Sequence, residues 1–222
     1  ILCVIANPLD LPRFNENLIW AGTDDGNLQK TTDGGKTWVN LAKNYAAAGI
    51  PAQTWVSSIE PSRFDTSVVY ATFDNHSYGD MKTYCARSSD LGQTWKLFYS
   101  ENFKGYAHKI IEDLVSKDLL FLGTEMGLYV TVDGGNNWVQ MKGLIPEYAL
   151  VRDITIEPRT NDLVVGTHGR GILIVDDISP LRKITADLLS SDVAVIPTKS
   201  HPISNGHFQY FWDSEYGYTG SN

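Results

Sequence analysis

Cysteine is almost missing: the 222 residues hold two, Cys3 and Cys85. That excludes a disulfide scaffold and a zinc site built on thiolates. Both stand in apolar, strand-like runs and read as buried free thiols, so redox chemistry does not set the compartment. No stretch approaches about 18 uninterrupted apolar residues, which excludes a membrane-spanning helix. There is no run of Lys or Arg, and 26 acidic against 18 basic residues leave a net charge of −8. Such a surface argues against nucleic acid as a partner. No phosphate-binding glycine loop, dinucleotide fingerprint or Gly-x-Ser-x-Gly elbow occurs, so no cofactor is implied. The chain opens Ile1-Leu2-Cys3-Val4-Ile5 without a Met or a charged leader. That is no signal peptide; it reads as the middle of a strand, as in a processed or truncated product.

What is present is globular. Hydrophobic residues are 42% and charged residues 20% of the chain, and its length suits one domain or one and a half. Glycine (19), Trp (6) and Tyr (11) stand out, and glycine with aromatics at intervals is how repeated hairpins look. The repeat is explicit. Thr31-Thr32-Asp33-Gly34-Gly35-Lys36-Thr37-Trp38 returns as Ser88-Ser89-Asp90-Leu91-Gly92-Gln93-Thr94-Trp95 and as Thr131-Val132-Asp133-Gly134-Gly135-Asn136-Asn137-Trp138. Before each copy a β-rich run ends on a small residue and Thr: Gly22-Thr23, Ala71-Thr72 and Gly123-Thr124, with a fourth at Gly166-Thr167. The fourth unit continues to Asp176-Asp177 without a Trp, so its turn is degenerate. Earlier still, apolar runs meet Pro8, Pro61 and Pro158, and Ile111-Glu112-Asp113 takes that place in the third unit.

Each unit therefore reads as strand, loop, strand, short turn, strand, Asp/Gly turn, strand. First strands are expected at 2–6, 54–59, 107–111 and 152–156, second strands at 18–22, 68–72, 119–123 and 163–166. Third strands are expected at 27–31, 83–88, 127–131 and 171–175, and fourth strands begin at the three Trp residues. Four strands in about 40 to 50 residues is the arithmetic of a propeller blade. The expected fold is all-β, a β-propeller of four-stranded antiparallel blades with about four blades present. Residues 1–180 form the blades, and 181–222 form a linker or the start of a following domain. One or two helical turns are expected within 184–191. Four blades of a larger wheel leave two exposed apolar faces, so self-association, swapped closure or missing blades are expected.

The three Trp-terminated turns resemble Asp-boxes, the bacterial neuraminidase repeats. The wider context, including Trp55-Val56-Ser57-Ser58-Ile59-Glu60-Pro61, Gly166-Thr167-His168-Gly169-Arg170 and Asp176-Asp177-Ile178-Ser179-Pro180-Leu181-Arg182, resembles the sortilin-like, glycosyl-hydrolase-related repeat proteins of bacteria. The resemblance covers about residues 1–185. It implies larger parents with an extracellular or periplasmic location. It says little about activity, because sialidases, xyloglucanases and non-enzymatic receptors all carry the motif.

In each turn the Asp can accept hydrogen bonds from its own turn, the Gly supplies a positive φ, and the Trp can pack on the hairpin. Asp33, Gly35, Trp38, Asp90, Gly92, Trp95, Asp133, Gly135 and Trp138 are therefore read as structural. The opposite face is chemically richer. Its second-to-third-strand turns carry Asp24, Asp74, His76, Glu125, His168 and Arg170, and the innermost strands begin near Trp55, His108 and Arg152. An aromatic platform with charged hydrogen-bonding groups on a rigid frame suits a glycan or a peptide. The bland reading is that hairpin tips are polar because they are wet. A glycosidase needs two carboxylates flanking the bond, which Asp24, Asp25, Asp74 and Glu125 would have to supply. The Arg-Ile-Pro segment that opens sialidases is absent. His76, His108 and His168 lie in different repeats, and no metal site is expected. The reading taken is a non-catalytic, ligand-binding propeller, with a glycoside hydrolase, or a fragment of one, as the alternative.

Overall fold

The computed structural model describes residues 3–6, 15–143, 145–185, 188, 190–193 and 195–196. They form four antiparallel sheets in chain order. The first blade is β1 (Cys3–Ala6), β2 (Ile19–Thr23), β3 (Leu28–Thr31) and β4 (Val39–Asn40). The second is β5 (Trp55–Pro61), β6 (Val69–Asp74), β7 (Tyr84–Ser88) and β8 (Lys96–Leu97). The third is β9 (Ala107–Glu112), β10 (Leu120–Thr124), β11 (Gly127–Thr131) and β12 (Val139–Gln140). The fourth has three strands, β13 (Leu150–Glu157), β14 (Asp162–His168) and β15 (Ile172–Val175). The unit that lacks the Trp-terminated turn is thus the one without a fourth strand among the described residues. Where fourth strands exist they are two residues long and begin one residue after the Trp.

The blades stack face to face, and the apolar core lies between them. Trp20, Leu28, Tyr45, Val56, Phe73 and Trp95 fill the space between blades one and two. Tyr70, Phe98, Ile110, Leu122 and Trp138 fill the next, and Phe121, Leu128, Val151, Ile154 and Leu163 the third. Cys85 is fully buried in the middle core as a free thiol, and burial pushes its pKa up. The innermost strands β5, β9 and β13 pack on one another in succession, and β1 packs on β5.

The Asp/Gly turns are built as the residue types demand. Thr31 Oγ1 donates to Asp33 at 2.7 Å, as do the Thr37 amide at 2.9 Å and its hydroxyl at 2.6 Å. The Gly35 amide donates back to Thr31 Oγ1, and Trp38 Nε1 to the Gly35 carbonyl. The same network recurs around Asp90 and Asp133. Donation from Thr37 and Thr31 holds the Asp33 carboxyl down at about 2. Gly35, Gly92 and Gly135 all have φ between 81° and 93°, the left-handed region that glycine enters without strain. Trp95 and Trp138 are buried, but Trp38 is 42% exposed.

Three other features depart from the sequence reading. A short helix α1 (Ala42–Ala47) fills the link from β4 to β5, and its buried Tyr45 donates a 2.6 Å hydrogen bond to the Gly26 carbonyl. The small-residue landmark of blade two is displaced by one: Thr72, not Ala71, pairs with Cys85 as Gly123 pairs with Leu128. The chain also runs past Val175 into a 3-10 turn, Ser179–Lys183. From it Arg182 forks onto Asp113 with two 2.8 Å bonds and reaches the Asn161 side chain. Glu112 makes the matching contact at the preceding interface, accepting from Ser62 Oγ, the Arg63 amide and Tyr70 OH. The acidic pair that replaces the proline landmark in the third unit is therefore a clamp across two blade interfaces. The Pro8 landmark and the 201–222 tail lie outside the described residues, as do residues 186, 187 and 189 of the helical turns expected at 184–191.

Candidate functional site

The site begins with a register irregularity repeated in three successive blades. In β5, β9 and β13 the pairing with the second strand slips by one residue, between Val56 and Ser58, Ala107 and Lys109, and Val151 and Asp153. The extra residues are Ser57, His108 and Arg152. A bulge takes a residue out of one-to-one pairing and re-aims its side chain. These three sit at the same end of consecutive innermost strands, where Arg152 meets His108 and Ser57 bonds to the strand that carries His108. Arg152 Nη1 lies 3.4 Å from His108 Nδ1, and Ser57 Oγ lies 3.0 Å from the carbonyl of Ala107 and 2.9 Å from Thr72 Oγ1.

Around them stands a cluster from the turns of the same face. Asp74 ends β6, paired across the sheet with Trp55. Its Oδ1 accepts from the His76 amide at 2.9 Å and lies 2.6 Å from His76 Nδ1. The His76 ring stacks on Tyr106 at 4.5 Å, and Tyr106 meets His108 edge-on at 4.9 Å. Glu125 hydrogen-bonds through its amide to the Tyr106 carbonyl at 3.0 Å, and its carboxyl lies against Gly105. Burial, with Glu125 and Asp74 close by, raises the Tyr106 pKa. Burial and then Arg152 push His108 down to about 4, so it is neutral at pH 7. With Nδ1 facing the Arg152 guanidinium as an acceptor, the proton of the neutral ring falls on Nε2.

Four buried polar atoms here have no hydrogen-bond partner: Trp55 Nε1, Asp74 Oδ2, His108 Nε2 and Glu125 Oε2. Buried polar groups are normally satisfied, and each exception asks for a ligand or a water. Two of these are donors and two acceptors. Beside them Arg152 is exposed and the His76–Tyr106 stack offers an aromatic face.

Of the residues expected on this face, Trp55, Asp74, His76, His108, Glu125 and Arg152 belong to the cluster. Asp24, His168 and Arg170 sit in or beside the turns of blades one and four. Among the described residues no hydrogen bond, ion pair or ring contact ties those three to it. His108 is buried, not open to solvent, because the bulge that presents it also tucks the ring under Tyr106. Tyr106 itself is absent from the residues that the sequence singles out. It precedes β9 as Trp55 precedes Val56, so an aromatic at the start of an innermost strand was the available signal. Two further carboxyls lie at the opposite ends of the innermost strands, around a small cavity of about 160 Å³ that also meets Arg63 and Lys109. Desolvation pushes Glu60 up to about 7 and raises Glu112 as well.

No protein-family model matches the chain, and no curated protein matches it by sequence. Solved structures share its architecture. A GH74 enzyme from Niastella koreensis superposes on 72% of the chain with a TM-score of 0.58 at 17% identity. The GH74 xyloglucanase from Xanthomonas campestris covers 75% with a TM-score of 0.54 at 16% identity. The extracellular domain of a protein assigned as a one-component system from B. thetaiotaomicron covers 75% with a TM-score of 0.55 at 13% identity. This chain is an all-β array of propeller blades. It spans 27%, 28% and 20% of those three chains, so the likeness concerns architecture. Among the described residues no helix is long and apolar enough to cross a membrane.

Proposed function

We propose that the chain belongs to an Asp-box β-propeller of the sortilin-like type, which binds a glycan or a peptide without catalysis at the face bearing the three bulges. The observation that carries this reading is the group of four unpartnered buried atoms around Tyr106. Two donors and two acceptors beside an aromatic stack suit sugar hydroxyls or peptide amides, which offer both functions. The turn networks of Asp33, Asp90 and Asp133 support the Asp-box assignment. The extracellular domain among the similar structures supports an extracellular or periplasmic location.

A hydrolase is the second reading, favoured by the GH74 enzymes of like fold. Against it, Asp74 is engaged by His76 on one oxygen and the Glu125 carboxyl is packed on Gly105. Each carboxyl is held on one side, which leaves a single buried oxygen, Asp74 Oδ2 or Glu125 Oε2, to accept from a ligand. The test is calorimetric titration with xyloglucan oligosaccharides and with a peptide library, using the parent and Arg152→Ala. Saturable binding that weakens at least tenfold in Arg152→Ala supports the proposal. Release of reducing ends from xyloglucan, lost in Asp74→Asn, replaces it with hydrolysis. No binding to either class refutes it.

A further inference from the structure

The turn from β6 to β7 runs from Asn75 to Thr83, where blade three has only Glu125 and Met126 between the equivalent strands. It contains a 3-10 turn, His76–Tyr78, closed by Gly79 at a φ of 77°. Opposite it stands the link from β8 to β9, which carries Phe98, Tyr99, Phe103 and Gly105. The Thr83 hydroxyl donates to the Gly105 carbonyl and ties the two segments together. Between them lies a groove of about 640 Å³, lined by Met81, Tyr84, Leu97, Phe98, Tyr99 and Phe103. Ligand sites commonly have about 300–1,000 Å³. Both segments belong to blades two and three, away from the terminal blades.

The groove adjoins the polar cluster. Gly105 lines the groove, and the Glu125 carboxyl packs on Gly105, with Oε2 3.1 Å from where a Cβ would stand. Tyr106 follows in the chain, and His76, stacked on it, comes from the long turn. The two regions differ in what they offer. The groove's polar groups are already engaged. Asp80 accepts from Tyr84 OH at 2.8 Å, the Asn75 side chain at 3.2 Å and the Lys82 amide at 3.2 Å. The Ser100 hydroxyl accepts from the Asn102 amide, and the Thr83 hydroxyl is held by Gly105. The four unpartnered atoms all lie in the cluster. From the two walls of the groove, Tyr99 and Met81 are 76% and 47% exposed, and large apolar side chains beside a concave apolar surface mark a contact site.

We infer that the ligand is a peptide, which seats one large apolar side chain in this groove and its neighbouring backbone in the cluster. The inference rests on the proposed binding function and narrows it. Each peptide unit offers one donor and one acceptor. That is the balance the cluster lacks: donors for Asp74 Oδ2 and Glu125 Oε2, acceptors for Trp55 Nε1 and His108 Nε2. A sugar would carry hydroxyls into a groove whose polar groups are spent, and lose their hydration without return.

Fluorescence anisotropy on the 222-residue chain tests this, with fluorescein-labelled hexapeptide pools that fix one position as Phe, Leu, Ser or Asp. The Phe and Leu pools are expected to bind at least about tenfold tighter than the Ser pool, the effect of burying one such side chain. Tyr99→Ala and Met81→Lys are expected to abolish that preference. Both positions are exposed, and circular dichroism melts confirm that each variant is folded. Arg152→Ala is expected to weaken all pools alike and keep the preference. Equal binding of the four pools overturns the inference, as does a preference that survives both groove variants; either leaves the cluster as a binding site. Xyloglucan oligosaccharides bound in place of peptides, and weakened by Tyr99→Ala, overturn it in favour of a glycan. A sedimenting mass halved by Tyr99→Ala makes the groove a contact between copies and also overturns it. Binding of neither peptides nor oligosaccharides refutes the proposed function itself.

Discussion

Two tryptophans at equivalent positions of the repeat are expected to differ sharply in what their removal costs. Trp138 is 3% exposed and packs against Phe98 and Phe103 with centroids 5.5 and 5.6 Å away. Its indole N–H also donates to the Gly135 carbonyl at 3.2 Å. Trp138→Ala leaves a large void between blades two and three and frees that carbonyl, a loss of about 3–5 kcal/mol. In a domain of this size that lowers the melting midpoint by roughly 10 °C. Trp38 makes the same bond, to Gly35, at 3.1 Å, but 42% of it faces solvent. Trp38→Ala forfeits little burial and is expected to cost about 1 kcal/mol. Urea titrations of both variants at concentrations where the chain is monomeric give the comparison directly. Equal losses would show that the turn itself, not the interface beneath it, is what the indole stabilises.

Asp133 accepts from Thr131, Asn136 and Asn137, so Asp133→Ala is expected to lower stability by about 1–3 kcal/mol in the same titrations. Gly123→Val would force its side chain into Val151 across a backbone socket, and is expected to yield unfolded or insoluble protein when expression and melting are measured. Glu60 gives a pH dependence. Its carboxyl is raised from 4.5 to about 7 in the folded protein, so the folded state holds the proton more tightly than the unfolded chain. Its contribution is fully present below about pH 4.5 and is lost as pH rises through 7, by at most about 3 kcal/mol. Glu60→Gln is expected to flatten the fall in urea midpoint between pH 5 and pH 8, and an unchanged slope would discount the group.

The turns were readable because their chemistry is local: Thr31 and Thr37 satisfy Asp33, and Gly35 links Thr31 to Trp38, all within eight residues. Strand positions followed from apolar runs; four-stranded blades were expected throughout, and the last sheet has three strands among the described residues, although its missing Trp had marked that turn as degenerate. Helix α1 escaped because it is six residues long, too short for helical spacing around Tyr45 to stand out from a loop. The bulges escaped for a different reason. A one-residue slip is a property of pairing between two strands, and neither strand's sequence records it. Hence His108 is recognisable as a polar residue near an innermost strand, but its burial is not. The displaced landmark at Thr72 has the same origin. Arg182 gave no sign of its role, since a grip on Asp113 across 69 positions leaves no local trace.

The repeated bulge bears on how such a molecule changes over time. A residue outside the ladder can be exchanged without shifting the pairing of its neighbours. Serine, histidine and arginine occupy this one place in three successive blades, while the strands that carry them keep the same slip and bury Val56, Ala107 and Val151 alike. The chemistry of this place can therefore differ from blade to blade, one side chain at a time, over an unaltered frame.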